Sequence, residues 1–398
     1  MERTRTVDPT LGPARAGDGR NVDLEVGALL GEGAQQRVRE LRAQPAPPER
    51  ALPEDERAGP TYHGLPVLKE HVWTWEIPAY FFAGGVAGAC GVLAAAAQAA
   101  GGPRMRPLVE RCRVVAAGGA AASAALLIDD LGRPSRFLNM LRVFRPTSPM
   151  NMGTWVLSGF GALSGLAAAA ALLPASRPLR AAGDAAGIGA GLLGLPLVGY
   201  TGVLLANTAV PVWQGTRRSL PVLFAFSGAA SAGALLEIWP PAGPGARVAR
   251  RLGVLSTALE LVFSVATEAE AALVPRVARP LRRGRTGALF RAGQLLAAAS
   301  LATALRAPRG AGRLLRPGRK RRLHAVSGVL GILGTLAIRF GIVAAGRASA
   351  RDPLATFHQQ RQGMGAREVL PVEGAPRMPT LPGVEPTGKE TAWHGSSA

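Results

Sequence analysis

Three stretches of this chain, residues 77–103, 146–176 and 185–216, contain no Asp, Glu, Lys or Arg. Each is longer than the roughly 20 apolar residues that a helix needs to cross a bilayer's hydrocarbon core. In that medium every backbone N–H and C=O must be satisfied within the segment, so such runs fold as transmembrane helices. Five more apolar runs complete the pattern. The expected spans lie near residues 75–99, 113–129, 154–174, 185–207, 219–240, 251–273, 287–306 and 325–348. The second is short, with 15 uncharged residues from Val114 to Ile128, and Arg291 interrupts the seventh. The predicted fold is all-α: a polytopic membrane protein with about eight transmembrane helices in two four-helix bundles, residues 71–218 and 219–349.

The flanks read differently. Residues 1–70 hold ten basic and twelve acidic residues among many Pro and Gly, the composition of a disordered or peripheral extension. Within it, Leu24, Leu29, Leu30, Val38 and Leu41 recur at near-helical spacing, which predicts one short amphipathic helix over Asp23–Arg42. Residues 350–398 read as a disordered, proline-rich tail. Residues 1–25 contain no apolar core, so the first span is expected to drive insertion.

The net charge of +20 is carried almost wholly by Arg. These arginines sit in short loops between apolar spans, which points to a membrane rather than to nucleic acid. Loops after spans one, three, five and seven, with the arginines at the span ends that border them, carry 17 Lys and Arg; loops after spans two, four and six, counted the same way, carry 11. The positive-inside rule places the richer set in the cytoplasm and both termini outside. Most of that difference is the loop from Arg306 to Arg322, without which the bias reverses.

Strict alternation of spans brings four span ends to one face. His71, Trp73, Trp75, Glu76 and Tyr80 come from the start of span one, and Asp129, Asp130, Arg133 and Arg136 from the end of span two. Asn151 and Trp155 come from span three; Tyr200, Asn207 and Trp213 from the end of span four. Paired carboxylates at a bilayer edge are costly unless matched, and Arg133 and Arg136 are the candidate partners. A quinone ring needs a flat apolar slot, a donor at its carbonyls and a proton route, all of which this face can supply. An aromatic belt with snorkelling arginines is the bland alternative.

The order of these blocks resembles the NrfD/PsrC family of polysulfide-reductase-like membrane anchors. The likeness rests on Trp73-Thr74-Trp75-Glu76-Ile77-Pro78-Ala79-Tyr80 before a glycine-rich run, on Asp130–Pro134, on Ser148–Met150, on Tyr200-Thr201-Gly202 and on Asn207 to Trp213. It covers about residues 71–240; the last three spans match only in length and hydropathy. Glu76 departs from the pattern, where a neutral residue is expected. The resemblance implies a plasma-membrane subunit that binds quinone or menaquinone in its first bundle. It also implies electron exchange with a ferredoxin-like iron–sulfur subunit, beside a molybdopterin-type catalytic subunit. By that likeness His71, Tyr80, Arg133, Tyr200 and Asn207 are quinone-binding candidates, and Asp129 and Asp130 are candidates for proton transfer; Glu76, outside the likeness, adds a second proton-relay candidate or marks the lipid boundary.

The chain itself offers few redox ligands. Its histidines are His63, His71, His324, His358 and His394, none in a span interior, so no haem is expected. Cys90 and Cys112 form no metal motif, Cys90 reads as a packing residue, and no iron–sulfur cluster or metal is expected. Glu260, Glu268 and Glu270 fall in span six and Arg339 in span eight. Glu260 and Glu268, two helical turns apart, share a face, and with Arg339 they form a candidate proton route. The same Glu/Arg pairing supports a different function, a polytopic transporter or channel, which would carry interrupted helices in matching halves. Glycine pairs at GxxxG spacing, Gly84 with Gly88, Gly161 with Gly165 and Gly187 with Gly191, mark candidate close helix crossings.

Overall fold

The computed structural model describes residues 67–69, 71, 73–131, 137–174, 176–306 and 317–361, with a short antiparallel pairing of Val22–Asp23 to Ala28–Leu29. That pairing occupies the start of the segment expected as a helix over Asp23–Arg42, and there the expectation fails. A short amphipathic helix is marginal unless its apolar face is packed. The rest of that segment lies outside the described residues.

In chain order the helices are α1 (Glu76–Gly101), α2 (Arg106–Asp130), α3 (Phe137–Arg142), α4 (Pro149–Leu172), α5 (Arg177–Ala206) and α6 (Pro211–Gly215). Then follow α7 (Leu220–Ile238), α8 (Gly245–Ala271), α9 (Pro275–Arg282), α10 (Gly284–Arg306), α11 (Pro317–Ala350) and α12 (Pro353–Arg361). Among the described residues, eight helices are long and apolar enough to cross a membrane: α1, α2, α4, α5, α7, α8, α10 and α11. The protein is a multi-pass membrane protein. Several helices begin before the apolar spans read from sequence, α2 at Arg106, α5 at Arg177 and α8 at Gly245. Arginine stems run along helix ends while their heads reach water, so a helix outlasts its apolar stretch. At 1.5 Å per residue the 27 residues of α8 span about 40 Å, past both edges of the hydrocarbon.

The turns carry their own chemistry. Gly102 links α1 to the 3-10 turn that enters α2 at a φ of 60°, which an L side chain rarely adopts. Ser148 caps α4 by accepting a hydrogen bond from the Asn151 N–H, with Pro149 in the first turn.

Lipid offers helices no hydrophobic reason to associate, so close packing of small residues holds them together. A Cβ on Gly194 of α5 would meet the Gly88 carbonyl of α1 at 2.6 Å. One on Gly233 of α7 would meet the Gly253 Cα of α8 at 2.3 Å, and one on Gly334 of α11 the Ala297 nitrogen of α10 at 2.7 Å. Of the glycine pairs singled out in sequence, Gly88 and Gly191 sit at backbone crossings, whereas Gly165 has open space where its Cβ would be. Cys90 and Cys112 are both buried in the packing of α1 against α2.

The buried apolar core runs without a break from α1 to α12. Residues 351–361, expected as the start of the tail, are folded onto the rest: Arg276 of α9 donates to Asp352 at 2.6 Å, and the Gln359 amide meets Gln214 of α6. The short helices α6, α9 and α12 therefore pack together at one membrane edge, the edge that also receives the start of α1. The remaining tail residues lie outside the described residues.

Candidate functional site

The His71 face is assembled by antiparallel register. A Cβ on Gly119 of α2 would touch Ala87 and Ala83 of α1, and one on Gly84 would meet Ser123. Extending that register by two turns sets Asp130 level with Glu76. Likewise Gly88 faces Gly194, which sets Tyr80 level with the Tyr200-Thr201-Gly202 segment, and Gly153 of α4 lies against the Tyr200 ring.

At this edge a set of aromatic rings runs inward. The His71 ring lies 4.7 Å from Trp73 and 5.2 Å from Trp213. Trp73 and Trp213 are stacked at 5.4 Å with an 18° tilt, and Trp213 is fixed by donating its indole N–H to the Ile342 carbonyl of α11 at 2.9 Å. Trp73 meets Phe81 edge-on at 6.2 Å, and Phe81 meets Phe224 at 6.1 Å. The last ring lies under the Arg339 guanidinium, 4.6 Å from its centroid.

The candidates from sequence separate by surroundings. Glu76 and Tyr80 are buried in the first turns of α1. Asp130 is half-buried and Asp129 exposed at the end of α2. Arg133 and Arg136 lie outside the described residues. Tyr200 donates to the Pro149 carbonyl at 2.5 Å, tying α5 to the start of α4. Asn207 is exposed and donates to the Val203 carbonyl of its own helix at 2.9 Å. Asn151 secures the turn before α4, donating to the carbonyls of Met140 and Val143 and accepting from the Arg145 N–H. Trp75 and Trp155 are exposed, as belt residues are.

A second polar site lies deep between α1, α7, α8 and α11. Arg339 is fully buried and donates to the Ser227 hydroxyl at 3.1 Å, the Phe81 carbonyl at 2.6 Å and the Phe224 carbonyl at 2.9 Å. Glu260, also buried, accepts from the Thr335 hydroxyl at 3.3 Å, while its Oε1 has no hydrogen-bond partner. No direct ion pair joins the two among the described residues; the Ser227 hydroxyl faces both. Glu268 does not join this site. It sits near the surface and pairs with Arg282 at 2.9 Å and Arg291 at 3.8 Å, because two helical turns separate it from Glu260 along α8. Arg291, which interrupts the seventh span, is exposed there. Glu270 accepts from the Ser219 N–H at 2.9 Å, just before α7.

Sequence reasoning missed the pairing at the opposite face, where Arg113 of α2 donates to Gln98 and Asp184, each at 2.7 Å, against Gly187. The signal was present as the only acid in the loop before span four. It also missed the hydroxyls of Ser123 and Thr201, which are buried without hydrogen-bond partners one to two turns inside the His71 face. Among the described residues no group of three or more His, Cys, Asp or Glu comes together to hold a metal ion.

A family model for NrfD, polysulphide reductase, matches residues 66–239, from just before His71 through α7. No curated protein matches the chain.

Proposed function

We propose, taking as premise that the chain belongs through residues 66–239 to the NrfD, polysulphide reductase, family of redox-complex membrane subunits, that it binds quinol or quinone at the His71 face. There it exchanges electrons with an iron–sulfur partner, in a complex that includes a molybdopterin-type catalytic subunit and sits in the plasma membrane. The observation that carries this reading is the packing of His71 against Trp73 and Trp213 at a membrane edge, level with Glu76 and Asp130.

A quinone ring is flat and apolar with two polar carbonyls, so aromatic walls seat it and a donor fixes its orientation. Trp73, held by the anchored Trp213, supplies a wall. His71 or Tyr80 supplies the donor, and the buried hydroxyls of Ser123 and Thr201 are further donors within reach of the interior. Tyr200 and Asn207, whose side chains are engaged with Pro149 and Val203, act as positioning residues. When quinol is oxidised its electrons leave to the partner's cluster and its protons pass to carboxylates; Glu76, Asp130 and Asp129 are the acceptors at this edge. Reduction of quinone reverses both flows. The iron–sulfur partner docks beside the loop carrying Arg133, Arg136 and Arg145.

Glu260 and Arg339 support a proton route further inside. Oε1 of Glu260 is a buried carboxylate oxygen with no partner, next to a fixed positive charge whose guanidinium reaches the Phe81 carbonyl of α1. The same pair supports the second reading, ion transport by the chain.

The test is quinol-dependent turnover per assembled complex in membranes. His71→Gln and Asp130→Asn should leave assembly intact and slow turnover about a hundredfold or more, the usual contribution of a general acid or base. Unchanged turnover in His71→Gln, Glu76→Gln and Asp130→Asn alike would remove the quinone reading. Proton flux by the isolated chain in vesicles, lost in Glu260→Gln and independent of quinol, would establish the transport reading in its place.

A further inference from the structure

On the face opposite His71, a groove of about 360 Å³ runs between the first turns of α8 and the end of α10. Arg247, Arg250 and Arg251 stand at its mouth, with Leu255, Ala258 and Leu305 below them, and among the described residues no carboxylate lines it, the nearest charge partner being Glu237 beside Arg250. Arg250 is held in place by donating to the Ala304 carbonyl at 2.6 Å, at the end of α10. Arg247 and Arg251 are exposed and four residues apart, so they stand on one helix face and repel each other.

Depth along α8 sorts the groove into two layers. The helix outlasts the hydrocarbon by about 10 Å in all, about one turn at each end, so Arg247 lies at headgroup level. Arg250 and Arg251, one turn deeper, reach that level with their long stems. Leu255 and Ala258 lie about 6–10 Å deeper along the axis, among acyl chains. Leu255 is 59% exposed and Leu305 46%, so the lower walls face lipid. Three clustered guanidinium groups over an apolar trough are complementary to a molecule with a phosphate at one end and a hydrocarbon chain at the other.

We propose that this groove is a binding site for an anionic phospholipid. The three arginines hold its phosphate, and one acyl chain lies along Leu255 and Leu305. The site rests on the membrane setting alone and not on the quinone reading, and its test measures retained lipid rather than turnover.

The experiment is native mass spectrometry of the full chain in detergent, with phosphatidylglycerol and phosphatidylcholine supplied in equal amounts. The wild-type chain should retain phosphatidylglycerol about tenfold over phosphatidylcholine, a difference of about 1.4 kcal/mol. The double variant R247Q/R251Q should bring the ratio close to one, while R279Q, at an exposed arginine on the His71 edge, should leave it unchanged. L255W, which fills the trough and keeps every arginine, should also lower retention, and it decides the matter if the double variant fails to insert. Equal retention of the two lipids by the wild-type chain overturns the proposal, as does a preference that survives both R247Q/R251Q and L255W. Displacement of phosphatidylglycerol by inorganic phosphate at comparable concentration also overturns it, since the groove would then be a free-anion site.

Discussion

Arg339 shows what a single charge inside a bilayer requires. Its guanidinium forks to two helix carbonyls and a hydroxyl, and no lysine could reproduce that geometry. Replacing it with leucine removes three charge-assisted bonds and leaves Glu260 without its neighbouring positive charge. Arg339→Leu should cost about 3–5 kcal/mol, the usual penalty for breaking a buried charge arrangement, read as lower abundance and earlier thermal unfolding in detergent. Gly85→Ala tests the same spot from α1, because the new Cβ would stand 2.7 Å from an Arg339 nitrogen and 3.3 Å from the Gly228 Cα. Overpacking of this kind costs about 1–3 kcal/mol, again measured by thermal unfolding. The sequence made Glu260 and Arg339 legible, since ionisable residues inside apolar spans are few. It did not reveal that backbone carbonyls rather than the carboxylate would be the main partners of Arg339, because a carbonyl leaves no trace in residue type.

At the scale of elements, spans were legible and their ends were not. Apolar length defines a crossing, but arginines at helix ends read as loop until their stems are seen to lie along the helix. The turn before α4 holds a polar residue of the His71 face whose bonds are local. Asn151 makes three hydrogen bonds to the backbone between Met140 and Arg145. Asn151→Ala should therefore loosen that turn, raising hydrogen exchange at the amide of Arg145 while leaving the helices unchanged. α12 was hidden for the opposite reason: its composition is that of a tail, while the Arg276–Asp352 pair, the Gln359–Gln214 contact and the burial of Ala355 tie it down. Asp352→Ala should destabilise this corner by about 1.5–3 kcal/mol, the range for hydrogen bonds to charged groups, measured as protease sensitivity after residue 350.

For the whole molecule, hydropathy and alternation together predict which residues share an edge, and that is why His71, Glu76, Tyr80 and Asp130 could be grouped before any coordinate. What alternation cannot supply is the lateral order of helices around the bundle. Trp213 was visible as one more edge aromatic; that it stacks on Trp73 and is anchored by α11 depends on that lateral order. Here the helices of the matched region and those beyond it share one core. Trp213→Ala should accordingly affect both regions, with a loss of about 3–5 kcal/mol for a fully buried ring, read as a single shifted unfolding transition rather than two.

The bonds of Arg339 also have a meaning in time. The groups it holds, the carbonyls of Phe81 and Phe224, belong to the first and fifth crossings, yet the side chain that holds them is made last. A ribosome that has delivered seven crossings has delivered the carbonyls to be held and not their clasp. Until the final crossing enters, Gly85 and Gly228 face each other without the cation beside them, and Glu260 waits in lipid without it. Quality control by membrane proteases would find such a chain incomplete, and chains released early should vanish while full-length chains persist.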